Sequence, residues 1–402
     1  MELSTMFKKS LVAVAVLGAT AFSAQAADVT LYGKIDTGLL YQNHQTEVGG
    51  EKVTDVDSFS MENGINSASR FGLKGTEDLG NGLKVGFKLE NGFKSDDGAL
   101  KTANTLFDRE ASMSLMGDFG TLSMGRMGGV ASSAGTYDLV YSIADAFDGG
   151  SNSVLGLAKS SRYNNMLTYQ SPKFAGMQAT VQYSFKEGTD DGREGSAATD
   201  RYAAAALTGE FGALNTVFAY EWQNYASNDG NGTAYDHEDG HTIYLGGNYD
   251  CGFAKTFAMA QYFKGVQTGN ISGLCVLGDH TVEIAQENVA LDDLANAVYN
   301  DGLKGYGLHL GTVVPVGNGD LTVAAYYVDG TAESSYAGVK DHDFDYLGLA
   351  TKYEYRLSKR TSVYTGAGYA KVSTDSVNYG NFEIVDAEDK VIEAFVGLTH
   401  NF

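Results

Sequence analysis

Along most of this chain, apolar and polar residues alternate one by one. In GMQATVQYSF, Met177, Ala179, Val181, Tyr183 and Phe185 share one parity, and Gln178, Thr180, Gln182 and Ser184 the other. In LKVGFKLENGF, Leu83, Val85, Phe87 and Leu89 oppose Lys84, Gly86, Lys88 and Glu90. In TLYGKIDTGLLY, Leu31, Ile35, Leu39 and Tyr41 oppose Lys34, Asp36 and Gly38. A repeat of two is the signature of a β-strand with two unlike faces. Each run is about ten residues, enough for a tilted strand to cross a bilayer. The chain also ends on such a run, with Ile392, Ala394, Val396, Leu398, His400 and Phe402 on one face. A strand that reaches the last residue needs partners on both edges, and a closed barrel has no edges.

Alternation alone fits a soluble sandwich with apolar faces inward or a membrane barrel with apolar faces outward. The connections separate the two. Short turns are expected at EDLGNG (77–82), GDFG (117–120), SPKFAG (171–176), GEFGA (209–213), YDCGF (249–253), VGNGD (316–320) and RLSKRT (356–361). Long polar stretches lie between them, near 42–66, 94–104, 128–160, 187–200, 224–239, 265–302, 330–342 and 372–388. Turns and loops alternate strictly. That pattern gives an all-β fold, a sixteen-stranded antiparallel transmembrane β-barrel with short periplasmic turns and long extracellular loops. A sandwich has no reason to sort its loops in this way. Within 265–302, Leu291, Leu294, Ala295 and Val298 fall at helical spacing, so a short helix with Glu287, Asp292 and Asp293 toward solvent is expected there.

The first 26 residues stand apart. Lys8 and Lys9 precede an apolar run that closes on small residues at Ala24 and Ala26. This is the form of a cleaved secretory signal, too short to span a membrane as a helix. Residues 27–402 then form one β domain. Without Glu2, Lys8 and Lys9, the count is 26 basic (28 − 2) against 49 acidic (50 − 1) residues, a net of −23. Such an excess argues against nucleic-acid binding. It fits a solvated surface or acidic loops, and clusters such as Asp96 and Asp97 could hold Ca²⁺ between loops. Glycine occurs 51 times and proline twice, with no linker or composition break. Cys251 falls in a short turn and Cys275 in a long loop, a bilayer apart and beyond the ~7 Å reach of a disulfide.

Several stretches carry a family resemblance. ASRFGLKGTEDLGNGLKVGFKLENGF (68–93), LFDREASMSLMGDFGTLSMGRM (106–127), NNMLTYQSPKFAGMQATVQYSF (164–185), YRLSKRTSVYTGAGY (355–369) and the terminal GLTHNF occur in the order and spacing of the Gram-negative general porins. The branch they resemble is that of beta-proteobacteria. The resemblance implies a homotrimer in the outer membrane, among lipid and lipopolysaccharide, passing ions and small hydrophilic solutes passively. It also implies that the terminal strand, with Phe402 and His400, resembles the signal read by the barrel-assembly machinery.

A sixteen-stranded barrel encloses a channel too wide to discriminate by itself. The resemblance makes 128–160 the third loop, folded into the pore, and it carries Asp138, Asp145 and Asp148. Facing basic groups would set a transverse field that filters solutes by charge. Strand parity points Lys34, Arg70, Lys74 and Arg162 inward, the last opposing Tyr163, Leu167 and Tyr169. Arg70 and Arg162 sit in stretches similar to the family's eyelet positions. Arg109 lies in FDRE, where the family usually reads F-G-R-Q; its parity groups it with Ala111 and Met113, so facing the pore requires a bulge or a strand end. Arg126 has the same parity problem beside Leu122 and Met124. Such arginines equally serve to solvate a lumen wall or pair with nearby acids. Lys84 and Lys88 fit a vestibule.

Other motifs dissolve on inspection. Asp36–Thr37–Gly38 spells the aspartic-protease tripeptide, but that chemistry needs a second carboxylate in a like context, and none occurs. HEDGH (237–241) has the wrong spacing for two ligands on one helical face. No G-x-S-x-G or P-loop is present, and catalysis is not expected. A substrate-selective channel of the same fold, and a non-conducting barrel acting as anchor or adhesin, remain alternatives to a general-diffusion pore.

Overall fold

The structure, a computed structural model, describes residues 28–147, 157–187, 199–226, 237–267, 281–284, 287–290, 301–333, 341–375, 377–379, 382–384 and 386–402. The expected signal segment, 1–26, lies outside them. In chain order the strands are β1 (Asp28–Val48), β2 (Glu51–Asn63), β3 (Arg70–Gly80), β4 (Leu83–Gly92), β5 (Glu110–Gly117), β6 (Gly120–Gly128) and β7 (Arg162–Gln170). Next come β8 (Met177–Glu187), β9 (Asp200–Phe211), β10 (Leu214–Asn224), β11 (Gly240–Asp250), β12 (Lys255–Val266), β13 (Thr281–Ile284) and β14 (Glu287–Ala290). The last are β15 (Gly302–Val316), β16 (Gly319–Glu333), β17 (His342–Arg356), β18 (Thr361–Thr374), β19 (Val377–Tyr379), β20 (Phe382–Ile384) and β21 (Ala387–Asn401).

Seventeen of these join one antiparallel sheet; β13–β14 and β19–β20 are separate small hairpins. β2 and β3 are two halves of a single stave. β1 pairs with β3 up to Lys34↔Arg70 and with β2 from Thr37↔Asn63 onward. The barrel therefore has sixteen staves, and it closes where β1 pairs with β21 from Lys34↔Asn401 to Val48↔Ala387. All seven short turns fall where glycine, asparagine and charged clusters announced them. Two loops differ from expectation. The polar stretch 42–66 is largely a hairpin of β1 and β2, because its polar residues still alternate and pair on the outside of the membrane. Within 265–302, Thr281–Ile284 and Glu287–Ala290 pair as the β13–β14 hairpin, whose Val282, Ile284 and Val289 are β-branched, so Glu287 lies on a strand. Leu291, Leu294, Ala295 and Val298 lie outside the described residues, as does Cys275. Cys251 is a free, exposed thiol in its turn.

The two faces are sorted opposite to a soluble protein. Leu31, Leu245 and Leu310 point outward and are 61–62 % exposed, while Thr180, Gln182 and Ser184 on the inner face are buried. An outer band of Leu, Val, Ile and Phe is what lipid contact requires, and it excludes the sandwich. Exposed aromatics gather beside the short turns: Phe119, Phe174, Phe211, Tyr249, Tyr355 and Phe402. They form the ring expected where the barrel meets the interface. The buried apolar cluster sits within the barrel, where the segment after β6 packs on the wall.

Phe402 occupies the seam. Its backbone exchanges two 3.0 Å hydrogen bonds with Gly33, and its ring covers the space a Cβ at Gly33 would fill. Neighbouring His400 is exposed and bonds Thr361 through Nδ1 at 2.9 Å. Glycine opposite a terminal aromatic lets the ring lie flat over the last backbone pair. Gly33→Val should therefore cost about 1–3 kcal/mol through overpacking at the seam, measured as a lower midpoint for urea unfolding from lipid vesicles.

Candidate functional site

The segment between β6 and β7 leaves the wall at Gly128 and Gly129, where any side chain would collide with Ser132, Ser160 or the Tyr202 hydroxyl. From there it is tied to the lumen face at successive points. Glu221 on β10, an inward carboxylate only 4 % exposed, accepts from Tyr202 Oη at 2.5 Å, Tyr244 Oη at 2.9 Å and the Ala131 amide at 3.3 Å. Tyr202 Oη in turn accepts from the Val130 amide at 3.1 Å. Glu110, at the start of β5, accepts from Thr136 Oγ1 at 2.8 Å and from Lys88 Nζ at 2.8 Å. Tyr137 Oη and Ser123 Oγ are 2.6 Å apart. The loop then makes one helical turn, Tyr141–Ala144. Tyr141 Oη donates to the Ala158 carbonyl at 2.6 Å, and burial pushes its phenol well up, so it stays a donor. Asn248 on β11 donates to the Ile143 carbonyl at 2.6 Å.

The loop acids are engaged in this fastening. Asp138 Oδ1 accepts from the Tyr141 amide at 3.2 Å, at the entry to the helical turn. Asp145 is buried, and its Oδ1 accepts from Tyr326 Oη at 2.7 Å and the Phe147 amide at 3.1 Å. His309 Nε2 lies 3.4 Å from the same oxygen, and the His309 ring stacks on Tyr326. Asp145 thus joins the loop to β15 and β16. Asp148 lies outside the described residues.

The basic residues divide into two groups. Lys34 and Arg70 face inward together on β1 and β3; Lys34 Nζ donates to Ser67 Oγ at 3.2 Å and Arg70 Nη1 to the Ala68 carbonyl at 3.1 Å. Lys74 lies further toward the turn end, its ammonium 5.1 Å above the Tyr32 ring. Arg109 stands just before β5, so the strand end frees it from the parity of Ala111, and it pairs inward with Glu90 Oε1 at 2.7 Å. The second group follows a bulge. Asn165 has φ 51°, and the β6–β7 register shifts between Gly125 and Met127. The shift reverses the alternation: Tyr163, expected outside, is buried inside and stacks on Tyr202 at 4.0 Å. Arg162, the first residue of β7, is half-buried, with Arg109, Asp108, Glu90 and Arg126 among the charges around it. Arg126 bonds the Asp108 carbonyl at 2.8 Å and Asn164 Oδ1 at 2.6 Å, on the face it shares with exposed Met124.

Sequence reasoning missed the groups that hold the loop. Glu221 sits at inward parity among Val217, Ala219 and Gln223, and a lone inward carboxylate in an otherwise small or neutral row was the available signal. Lys88, read as a vestibule residue, reaches the loop at Thr136 Oγ1, 3.2 Å away. Lys352 on β17 places its ammonium 5.5 Å above the ring of Phe147. In HEDGH, His241 bonds Tyr220, Asp239 bonds Trp222 and Glu238 pairs with Lys264, each serving its strand neighbours. Asp97 caps its own turn at the Ala99 amide.

A closed sixteen-stave barrel with a loop lashed inside it is a pore architecture, and the family model described as "Gram-negative porin" matches residues 13–375. The chain belongs to the Gram-negative porins. It is 30 % identical to an outer membrane porin of Bordetella pertussis over 98 % of this chain and all of that protein. An anion-selective porin from Comamonas acidovorans superposes with a TM-score of 0.62 at 24 % identity, over 94 % of this chain and all of that one. A trimer form of OmpT from Vibrio cholerae gives a TM-score of 0.51 at 15 % identity, over 93 % of this chain and all of that one. This porin is a passive outer-membrane channel for ions and small hydrophilic solutes.

Removing the carboxylate that fastens the loop should loosen it without opening the wall. Glu221→Ala forfeits hydrogen bonds to a charged group worth about 1.5–3 kcal/mol each before relaxation. The expected outcome is a lower thermal midpoint and larger fluctuations of the open-channel current, read in single-channel recordings.

Proposed function

We propose that this porin prefers anions, and that the preference is set by a basic strip of Lys34, Arg70, Lys74 and Lys352 along one side of the lumen. The observation that carries this reading is the engagement of the opposing acids. Asp138 accepts from the Tyr141 amide and Asp145 is buried against Tyr326 and His309. Both carboxylates are buried rather than set beside lumen water, whereas ammonium and guanidinium groups beside water attract anions over about a Debye length. Asp148 completes the expected acidic set. Arg109 is paired with Glu90, and Arg162 lies among Arg109, Asp108, Glu90 and Arg126. A solved porin of this fold, from Comamonas acidovorans, is described as anion-selective, which agrees with the reading. The acidic excess of the whole chain then belongs to its outer surface and loops, where Ca²⁺ binding is part of the same proposal.

The native assembly in this proposal is a homotrimer. Arg126 and its partner Asn164 occupy the outer face of the barrel, beside Met124. A charged side chain facing lipid costs about 2–4 kcal/mol at the midplane, falling toward zero near the interfaces. A neighbouring subunit over β5–β7 removes that cost, and OmpT of Vibrio cholerae, which shares the fold, is described in a trimer form. Export by the 1–26 signal, insertion through the barrel-assembly machinery by the Phe402 and His400 strand, and contact with lipopolysaccharide complete the picture.

The reversal potential in a KCl gradient tests selectivity. Its sign should indicate chloride preference, and Arg70→Gln with Lys34→Gln should move it toward potassium by a severalfold fall in the permeability ratio. A cation-selective wild type would refute the proposal. Chemical crosslinking in mild detergent should yield a three-chain species that Arg126→Glu weakens.

A further inference from the structure

The break between β2 and β3 is the least regular part of the wall. Two residues of β1, Ile35 and Asp36, stand opposite six, residues 64–69. The surplus chain has to leave the sheet, and Gly64, with φ 73°, starts the departure. It goes inward. Ile65 is buried against Tyr364 and Phe395, which line the lumen face of β18 and β21.

Asp36 pins the excursion. Its backbone carbonyl accepts from the Gly64 amide at 3.1 Å and Ser69 Oγ at 3.0 Å, and its own amide donates to Ser69 Oγ at 3.0 Å. Its fully buried carboxylate accepts from the Asn66 amide at 3.3 Å, Tyr364 Oη at 2.8 Å and Thr399 Oγ1. The Asp36–Thr37–Gly38 tripeptide therefore has a structural purpose. At the crest, Asn66 Nδ2 donates to Glu354 Oε2 at 3.2 Å, and Asn66 Oδ1 accepts from Lys352 Nζ. Ser67 accepts from Lys34. Lys352 also covers the Phe147 ring on the pore loop. One ammonium thus touches both the excursion and the loop.

We propose that residues 64–69 form a second constriction element, which meets the pore loop at Lys352 and sets the minimum opening together with it. The crest residues Asn66 and Ser67 are half-buried, and Ser67 accepts from both Lys34 and Arg70 on the lumen face. A solute in the pore then passes between the loop on one side and an amide, a hydroxyl and the basic strip on the other. Asn66 and Ser67 are specificity-determining groups because they combine neutral donors and acceptors with the adjacent cations. The inference rests on the channel activity of the family and not on the proposed anion preference.

The test uses the full chain in planar bilayers, with heat-modifiable gel mobility as the check on folding. Asn66→Cys is placed in a Cys251→Ser, Cys275→Ser background and treated with a bulky charged methanethiosulfonate. Modification should lower the single-channel current by roughly half, and reagents of opposite sign should move the reversal potential in opposite directions. A second variant replaces residues 64–69 with two threonines to restore a continuous stave. It should raise conductance by about half and admit larger polyethylene glycols. Should that variant fail to fold, the cysteine result decides. A folded, conducting protein whose current ignores modification at position 66 overturns the inference alone. A folded wild type that carries no current overturns the channel reading with it.

Discussion

Inside a bilayer no water is available to a lone amide or carbonyl, so each stave must be paired on both edges. The pairing of β1 with β21 is the contact on which that condition rests, because it turns an open sheet into a barrel. Its consequences run through the molecule. The last strand continues to the final residues, and Phe402 lies across Gly33 at the end of the seam. Backbone irregularity is confined to places where water or protein meets the freed groups. Residues 64–69 bulge toward the lumen, with Asp36 and Ser69 satisfying the interrupted ladder. The bulge at Asn165 lies where the pore loop rejoins the wall.

Closure creates a second problem, an interior too wide to select. The chain answers it with a loop held by paired charges and hydrogen bonds at Glu110, Glu221 and Asp145. Each carboxylate is buried and accepts more than one donor, which is the condition for holding charge away from water. The tyrosines that supply several of those donors form an apolar bed under the loop on the β9–β16 side. The opposite side keeps its lysines and arginines near water. Division of the lumen into a packed half and a basic half follows from where the loop is tied, and it gives the pore its proposed charge preference.

Much of this was legible in the sequence. The period-two runs, the sorting of short turns from long loops, and Phe402 at the terminus specified the barrel, since each reflects a constraint acting on every stave. The site was less legible because its geometry depends on departures from regularity. A single extra residue at Asn164–Asn165 brings Tyr163 to the inner face, and no residue type signals it in advance. Arg109 needed a strand end, which the polar FDRE suggested and the structure supplies. Asp138 and Asp145 have the composition of field-setting acids, yet their burial depends on the fold of the loop at Tyr141 and on a tertiary partner at Tyr326.

The central claim is that the closed barrel encloses a continuous water path narrowed but not blocked by its loop. Single-channel conductance of the purified, folded protein across a series of KCl concentrations tests it most directly. Discrete open steps are expected, their size rising nearly in proportion to bulk conductivity, as water-filled pores give. A folded barrel that stays silent, or whose conductance saturates at low salt, would contradict it.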